Sequence, residues 1–146
     1  MVNTIYPDAP RLAVGAVIVH QNKVLLVRRG NAPAKGLWAI PGGSVNLGET
    51  LQAAAEREVL EETGLHIKAG AMIYAFEKIQ RDEVGRVQFH YVILDLAAEA
   101  LDPTQPLIPA DDASDAGWYS LNDLAQQKLP VPDTTLTLLY KVLKEL

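Results

Sequence analysis

The sequence predicts an α/β layered sandwich, and two observations carry that reading. β-rich apolar runs stand both before and after one strongly helical stretch at residues 50–63, and an amphipathic helix closes the chain. Size supplies the bound: 146 residues, 49% hydrophobic and 21% charged, suit one globular domain, taken as residues 1–146.

In chain order, residues 1–11 read as a poorly patterned arm, because Pro7 and Pro10 oppose regular structure. Residues 12–20 and 23–29 are two β-rich runs around Gln21-Asn22, a hairpin signal weaker than Asn-Gly. Both are almost continuously apolar, as strands covered on both faces are. Arg28 and Arg29 end the second run side by side and so point to opposite faces. One of them is expected to reach a phosphate of a ligand, and the other to be a solvated strand end. A loop follows at residues 30–36, then a short apolar stretch at 37–40, then a second loop with Gly42, Gly43 and Gly48.

The helix at 50–63 rests on Ala53, Ala54 and Ala55, with Gly64 placed for a left-handed C-cap. Residues 65–80 and 87–96 predict two long strands around a polar turn. Residues 97–113 contain Pro103, Pro106 and Pro109 and predict a long irregular loop of the kind that often carries function. Residues 116–120 predict a last short strand, with Ser120 capping a short helix to about residue 126. Asp133 or Thr134 is expected to cap the final helix, which presents Leu136, Leu139, Tyr140 and Leu143.

Composition excludes several classes. The absence of cysteine rules out disulfides, thiolate nucleophiles and cysteine zinc sites. A net charge of −5, with scattered cations, argues against long nucleic acid as a partner. No signal peptide and no run of the roughly 20 apolar residues needed to span a bilayer are visible. A cytoplasmic protein without membrane contact is therefore expected. A small phosphorylated ligand stays open, because a bound metal can supply positive charge.

The chemistry concentrates in the helix. Glu56, Glu58, Glu61 and Glu62 crowd its second half, and at roughly 100° per residue Glu58, Glu61 and Glu62 share one arc. Each like-charge pair three or four apart costs about 0.2–0.5 kcal/mol. A hard divalent cation with oxygen ligands would offset that cost. Leu51, Ala55 and Val59 form an apolar edge beside the arc, so the carboxylates border buried surface.

From Gly43 the chain reads glycine, five residues, Glu49, seven residues, then Arg57-Glu58-Val59-Leu60-Glu61-Glu62-Thr63-Gly64-Leu65. This resembles the box of the Nudix hydrolases at every defining position, and the preceding LWAIPGG is similar to that family's lead-in. The resemblance implies an α/β/α sandwich with a central mixed β-sheet. It also implies metal-dependent cleavage of a phosphoanhydride bond in a nucleoside diphosphate linked to another group, with Mg²⁺ or Mn²⁺ as cofactor. On that basis Glu58 and Glu62 are the expected metal ligands, with Glu61 a further or water-mediated ligand and Gly42 contributing its carbonyl. Arg57 and Glu49, with Gly43, are expected to fix the loop against the helix.

Relatives differ in their general base. Here Glu58 is the candidate within the box, and Asp111 and Asp112 are the candidates in the proline-rich loop, Asp112 lying six residues before Trp118. The expected catalytic set is thus Glu58, Glu61, Arg57 and Asp112. Tyr74, Phe76, Phe89, Tyr91 and Trp118 are offered to a base or, more ordinarily, to the core. About fifteen residues past the box stand Gln80, Arg81 and Asp82, which match neither the proline nor the tyrosine marker of two known subfamilies. The overall likeness is to short bacterial ADP-ribose pyrophosphatase-like members. A small-molecule nucleotide is the expected partner, with ADP-ribose ahead of (d)NTPs and their oxidised forms, and a non-catalytic nucleotide sensor as the reading from another class. Relatives are often dimers, and the terminal helix and N-terminal arm are the expected contacts of a homodimer.

Overall fold

The computed structural model describes residues 5–31 and 34–143. Among these described residues, seven strands and three helices follow one another as β1 (Arg11–His20), β2 (Lys23–Arg29), β3 (Trp38–Ala39), β4 (Gly42–Ser44), α1 (Leu51–Thr63), β5 (Ile67–Arg81), β6 (Val87–Ala100), β7 (Ala113–Tyr119), α2 (Leu121–Gln127) and α3 (Asp133–Leu143). The fold is the expected α/β sandwich on a mixed sheet.

β1 is the hub. It runs parallel to β6 from Arg11 to Ile18, and β5 continues the sheet antiparallel on the far side of β6. On its other side β1 meets β4 through Ala13–Gly15 and β2 only at Val19 and His20. β2 therefore splays away from β4, carrying β3 on one side and β7 on the other. The hairpin turn between β1 and β2 places both Gln21 (φ 50°) and Asn22 (φ 61°) in the left-handed region. Positive φ at both central residues matches the right-handed twist of the strands.

Alternation along β1 sends its side chains into two cores. Val14, Ala16 and Ile18 pack with Leu96 against Ala54, Ala55 and Val59 of α1. Val17 packs with Leu26 and Trp38 against Leu124 of α2 and Leu138, Leu139 and Leu143 of α3. One helix thus covers one face and two helices the other.

Four elements depart from expectation. Gly42–Ser44 is a strand rather than loop, because β1 offers it a pairing edge. β6 continues to Ala100, so the irregular segment begins at residue 101, not 97. Its Ala-Ala-Glu-Ala end favours helix locally, but pairing with β1 and β5 outweighs that preference. β7 starts at Ala113, ahead of the expected residue 116. Asp133 is already helical, in the first turn of α3. Ser120 caps α2 through a reciprocal box with Asp123. Part of the expected N-terminal arm, residues 1–4, lies outside the described residues. No described helix is long and apolar enough to cross a membrane.

Candidate active site

α1 is well defined at both ends. Thr50 accepts a hydrogen bond from the Ala53 amide at 3.0 Å, and Gly64 closes the helix at φ 75°. The carbonyls left over at its C-terminus are taken up by the segment after β6. The Ala110 amide donates to Glu62 O at 3.0 Å, the Ile108 amide to Thr63 O at 2.8 Å, and Gln105 Nε2 to Gly64 O at 2.9 Å. These bonds draw the proline-rich loop along the helix and deliver Asp112 to its acidic side.

Arg57 organises the exposed edge of this region. Its guanidinium grips Glu49 bidentately, Nε to Oε2 at 2.7 Å and Nη2 to Oε1 at 2.9 Å. Nη2 also donates to the Ser44 carbonyl, and Nη1 to Glu58 Oε1 at 2.8 Å, with Glu61 more distant at 3.4 Å. The arginine holds the Glu49 carboxyl down to about 2, and the carboxylates in turn raise the guanidinium. Loop and helix are clipped together by this one side chain.

Glu58 and Glu62 have a different environment. Both are buried, at 9% and 3% exposure, whereas Glu61 is exposed and Glu56 turns away to accept from the Ala69 amide. A side chain on Gly43 would collide with the Glu58 carboxyl, so glycine there makes the carboxylate's place. Burial raises Glu58 despite its bond to Arg57. Burial also pushes Glu62 up to about 8, with Glu58 and Asp112 adding repulsion, against the Gly42 amide and Arg29, which favour its anion. Gly42 reaches Glu62 Oε1 through its amide at 2.9 Å. In the antiparallel ladder with β1, Gly43 stands opposite Val14, while the Gly42 amide and the Ser44 carbonyl both face the helix side. The same alternation turns the Gly42 carbonyl away from β1.

Of the other expected residues, Asp112 lies close enough to raise both Glu58 and Glu62, whereas Asp111 is exposed at φ 55°. Arg29 lies on the acidic side, where it favours the Glu62 anion. Arg28 points elsewhere, donating from Nε to Ser114 Oγ at 2.9 Å. Two neighbours were absent from the sequence reading. Asn31 donates to Asp112 Oδ1 at 2.9 Å, and Lys78 on β5 lies within electrostatic reach of Arg29. The sequence carried no signal for Asn31. For Lys78 its only trace was the strand period that aligns it with Tyr74 and Phe76.

Among the described residues, no three carboxylates or histidines are close enough to hold a metal ion as they stand. Arg57 occupies the gap between Glu58 and Glu61. The donor chemistry nevertheless fits a hard divalent ion: two buried carboxylates crowd each other beside a cradle of bare backbone.

The NUDIX domain profile matches residues 9–139. The chain belongs to the Nudix family. It is 39% identical over 115 residues to a Methanocaldococcus jannaschii protein named ADP-ribose pyrophosphatase, covering 79% of this chain and 64% of that protein. It is 31% identical over 117 residues to the Escherichia coli protein named phosphatase NudJ, covering 80% of this chain and 72% of that one. In structure it is similar to a MutT NUDIX hydrolase from Burkholderia pseudomallei, with a TM-score of 0.76 and 29% identity, over 92% of this chain and 99% of the other. The Nudix box therefore corresponds to β4, the Arg57-clipped loop and α1, and the family's fold is the sandwich described above.

Proposed function

We propose that this Nudix protein hydrolyses a phosphoanhydride bond in a nucleoside diphosphate linked to another group, with ADP-ribose or a related nucleotide sugar as substrate. The observation that carries this reading is the pair of buried carboxylates, Glu58 and Glu62, set against Gly42 and Gly43 with Asp112 alongside. A pair so poorly solvated is suited to a divalent cation. Resemblance to the archaeal protein named ADP-ribose pyrophosphatase supports the choice of substrate.

Glu58 and Glu62 would hold Mg²⁺ or Mn²⁺, with the outward-turned Gly42 carbonyl as a backbone ligand and Glu61 reaching in from the exposed side. When bound, such an ion neutralises the diphosphate and lowers the pKa of a water. Glu58 must then release Arg57, which keeps Glu49 and the Ser44 carbonyl as partners. A carboxylate oxygen of Asp112 or Glu58 takes the proton of the attacking water. The water oxygen bonds to one phosphorus as the bridging oxygen leaves with the other, giving two phosphate monoesters.

A panel of ADP-ribose, nucleotide sugars and (d)NTPs, assayed with Mg²⁺ and with Mn²⁺, tests this. ADP-ribose is expected to yield AMP and ribose 5-phosphate. Pyrophosphate release from NTPs alone would move the substrate assignment, and no turnover of any nucleotide by metal-loaded protein would remove the enzyme reading.

A further inference from the structure

Two consecutive residues after β2 hold Asp112 at both its backbone and its carboxylate. The Gly30 amide donates to Asp112 O at 2.8 Å, and Asn31 Nδ2 donates to Asp112 Oδ1 at 2.9 Å. A Cβ on Gly30 would stand 3.3 Å from that same carbonyl, so glycine leaves room for the approach.

Both bonds lie where β2 ends against β7. The pairing runs Arg28 with Asp115, then Arg29 with Ala113, so Ser114 is an extra residue on β7. A bulge of this kind bends its strand and re-aims the side chains beside it. Arg28 secures the bulge: its Nε donates to Ser114 Oγ at 2.9 Å, and Ser114 Oγ donates to Arg28 O at 3.3 Å. On the other flank, the Ala110 amide donates to Glu62 O and the Ala113 amide to Ala110 O, each at 3.0 Å. Asp112 is thus tied on one side to the end of β2 and on the other to the end of α1.

Its carboxylate is held unevenly. Oδ1 accepts from Asn31, whereas Oδ2 accepts from no described residue. The donor is also a neutral amide. Arg57, by contrast, gives Glu49 two charge-assisted bonds, one to each oxygen. A carboxylate gripped that way has both oxygens occupied. One held through a single oxygen is oriented and keeps the other for a proton.

We propose that Asn31 is a positioning residue for hydrolysis: it fixes Oδ1 of Asp112 so that Oδ2 is the oxygen presented to the attacking water. This role rests on the hydrolase reading and assigns the proton to Asp112 rather than Glu58. The water proton passes to Oδ2 as the water oxygen bonds to one phosphorus and the bridging oxygen leaves with the other. Asn31 takes no part in these bond changes and acts through Asp112.

The test is steady-state hydrolysis by the full chain with Mn²⁺, using ADP-ribose or whichever nucleotide the substrate panel selects. Asn31→Ala is expected to lower kcat about tenfold, with KM within about twofold of wild type. Asn31→Gln keeps an amide donor and should recover part of the loss. Asn31→Asp sets a carboxylate against Asp112 and should lose more. Added to Asp112→Asn, Asn31→Ala should cost less than about twofold further, because the group it orients is no longer a base. Asn31 is exposed, so thermal unfolding of each Asn31 variant should stay close to wild type. Positioning is overturned if Asn31→Ala keeps wild-type kcat while Asp112→Asn loses about a hundredfold, which leaves Asp112 as the base. It is overturned too if the Asn31 effect persists undiminished in the Asp112→Asn background, or falls on KM alone. Near-full turnover in Asp112→Asn removes Asp112 as base, and the role of Asn31 with it, but leaves the hydrolase reading intact. No turnover of any nucleotide by metal-loaded wild type removes both.

Discussion

Within one 23-residue motif, residues 43–65, Glu49 and Glu62 are carboxylates of opposite character. Glu49 accepts two bonds from Arg57 and one from the Asn46 amide, and is held at about 2. Glu62 is buried with a single amide donor and two acidic neighbours, and is driven up to about 8. A satisfied charge stabilises the fold that exists. A charge left in deficit points to something the fold is arranged to receive. The same sequence motif thus contains a structural clip and the half we propose to be reactive, and burial together with partner count tells them apart.

The largest expected effect comes from breaking the reactive half. Glu62→Gln should lower hydrolysis by more than about a hundredfold, beyond the 10–100-fold typical of groups standing behind metal ligands. In the metal-free protein the same change should leave thermal stability unchanged or raised, because it removes a desolvated carboxylate. A fall in both activity and stability would place Glu62 with Glu49 and erase the contrast. Next in size, Asp112→Asn should reduce kcat by about a hundredfold if it takes the proton, the low end for general-base catalysis. Near-full turnover in that variant, with Glu58→Gln inactive, would assign the proton to Glu58.

Breaking the clip should act on stability instead. Arg57→Ala leaves Glu49 and the Ser44 carbonyl without their donor and should cost about 1–3 kcal/mol in urea unfolding. Its activity at saturating metal should fall less than that of Glu62→Gln. The smallest effect is also the sharpest in sign. Glu62, raised from 4.5 to about 8, favours the folded state below about pH 4.5, and that contribution is lost as pH rises through 8. Glu49, lowered from 4.5 to about 2, contributes above about pH 4.5 and loses its contribution as pH falls through 2. Metal-free protein should therefore lose stability from about pH 5 to 8, and Glu62→Gln should flatten that slope. Saturating Mn²⁺ should flatten it too, with protons released on binding near pH 7.

Asp95 offers a control for burial alone. It is 2% exposed on β6, has no partner for Oδ1 among the described residues, and is raised to about 6 by burial. It faces Gly15, where any side chain would meet it. Asp95→Asn should likewise raise stability above pH 6, yet leave Mn²⁺ binding untouched.

The arc shared by Glu58, Glu61 and Glu62 could be read directly from the sequence, because helical spacing is local and period 3.6 relates neighbours in the chain. So could the apolar edge at Ala55 and Val59, the Thr50 and Gly64 ends, and the β1–β2 hairpin. Local propensity misled where pairing decides, at Gly42–Ser44 and at Ala97 to Ala100, since a strand's partner lies far away in sequence. Which glutamates are buried was likewise beyond local reading. Glu61 and Glu62 are chain neighbours, yet only Glu62 turns under the Gly42 amide.

The sequence by itself determined the central helix, its run of acids and the glycines that precede it, because those relations span a few residues. Only the tertiary structure decided that Asp112 and Arg29 come close to the glutamates of that helix. They come from the loop after β6 and the end of the splayed β2. Their proximity depends on long-range pairing and on the docking of a loop onto spare helix carbonyls. Neither carries a periodic signature in the chain.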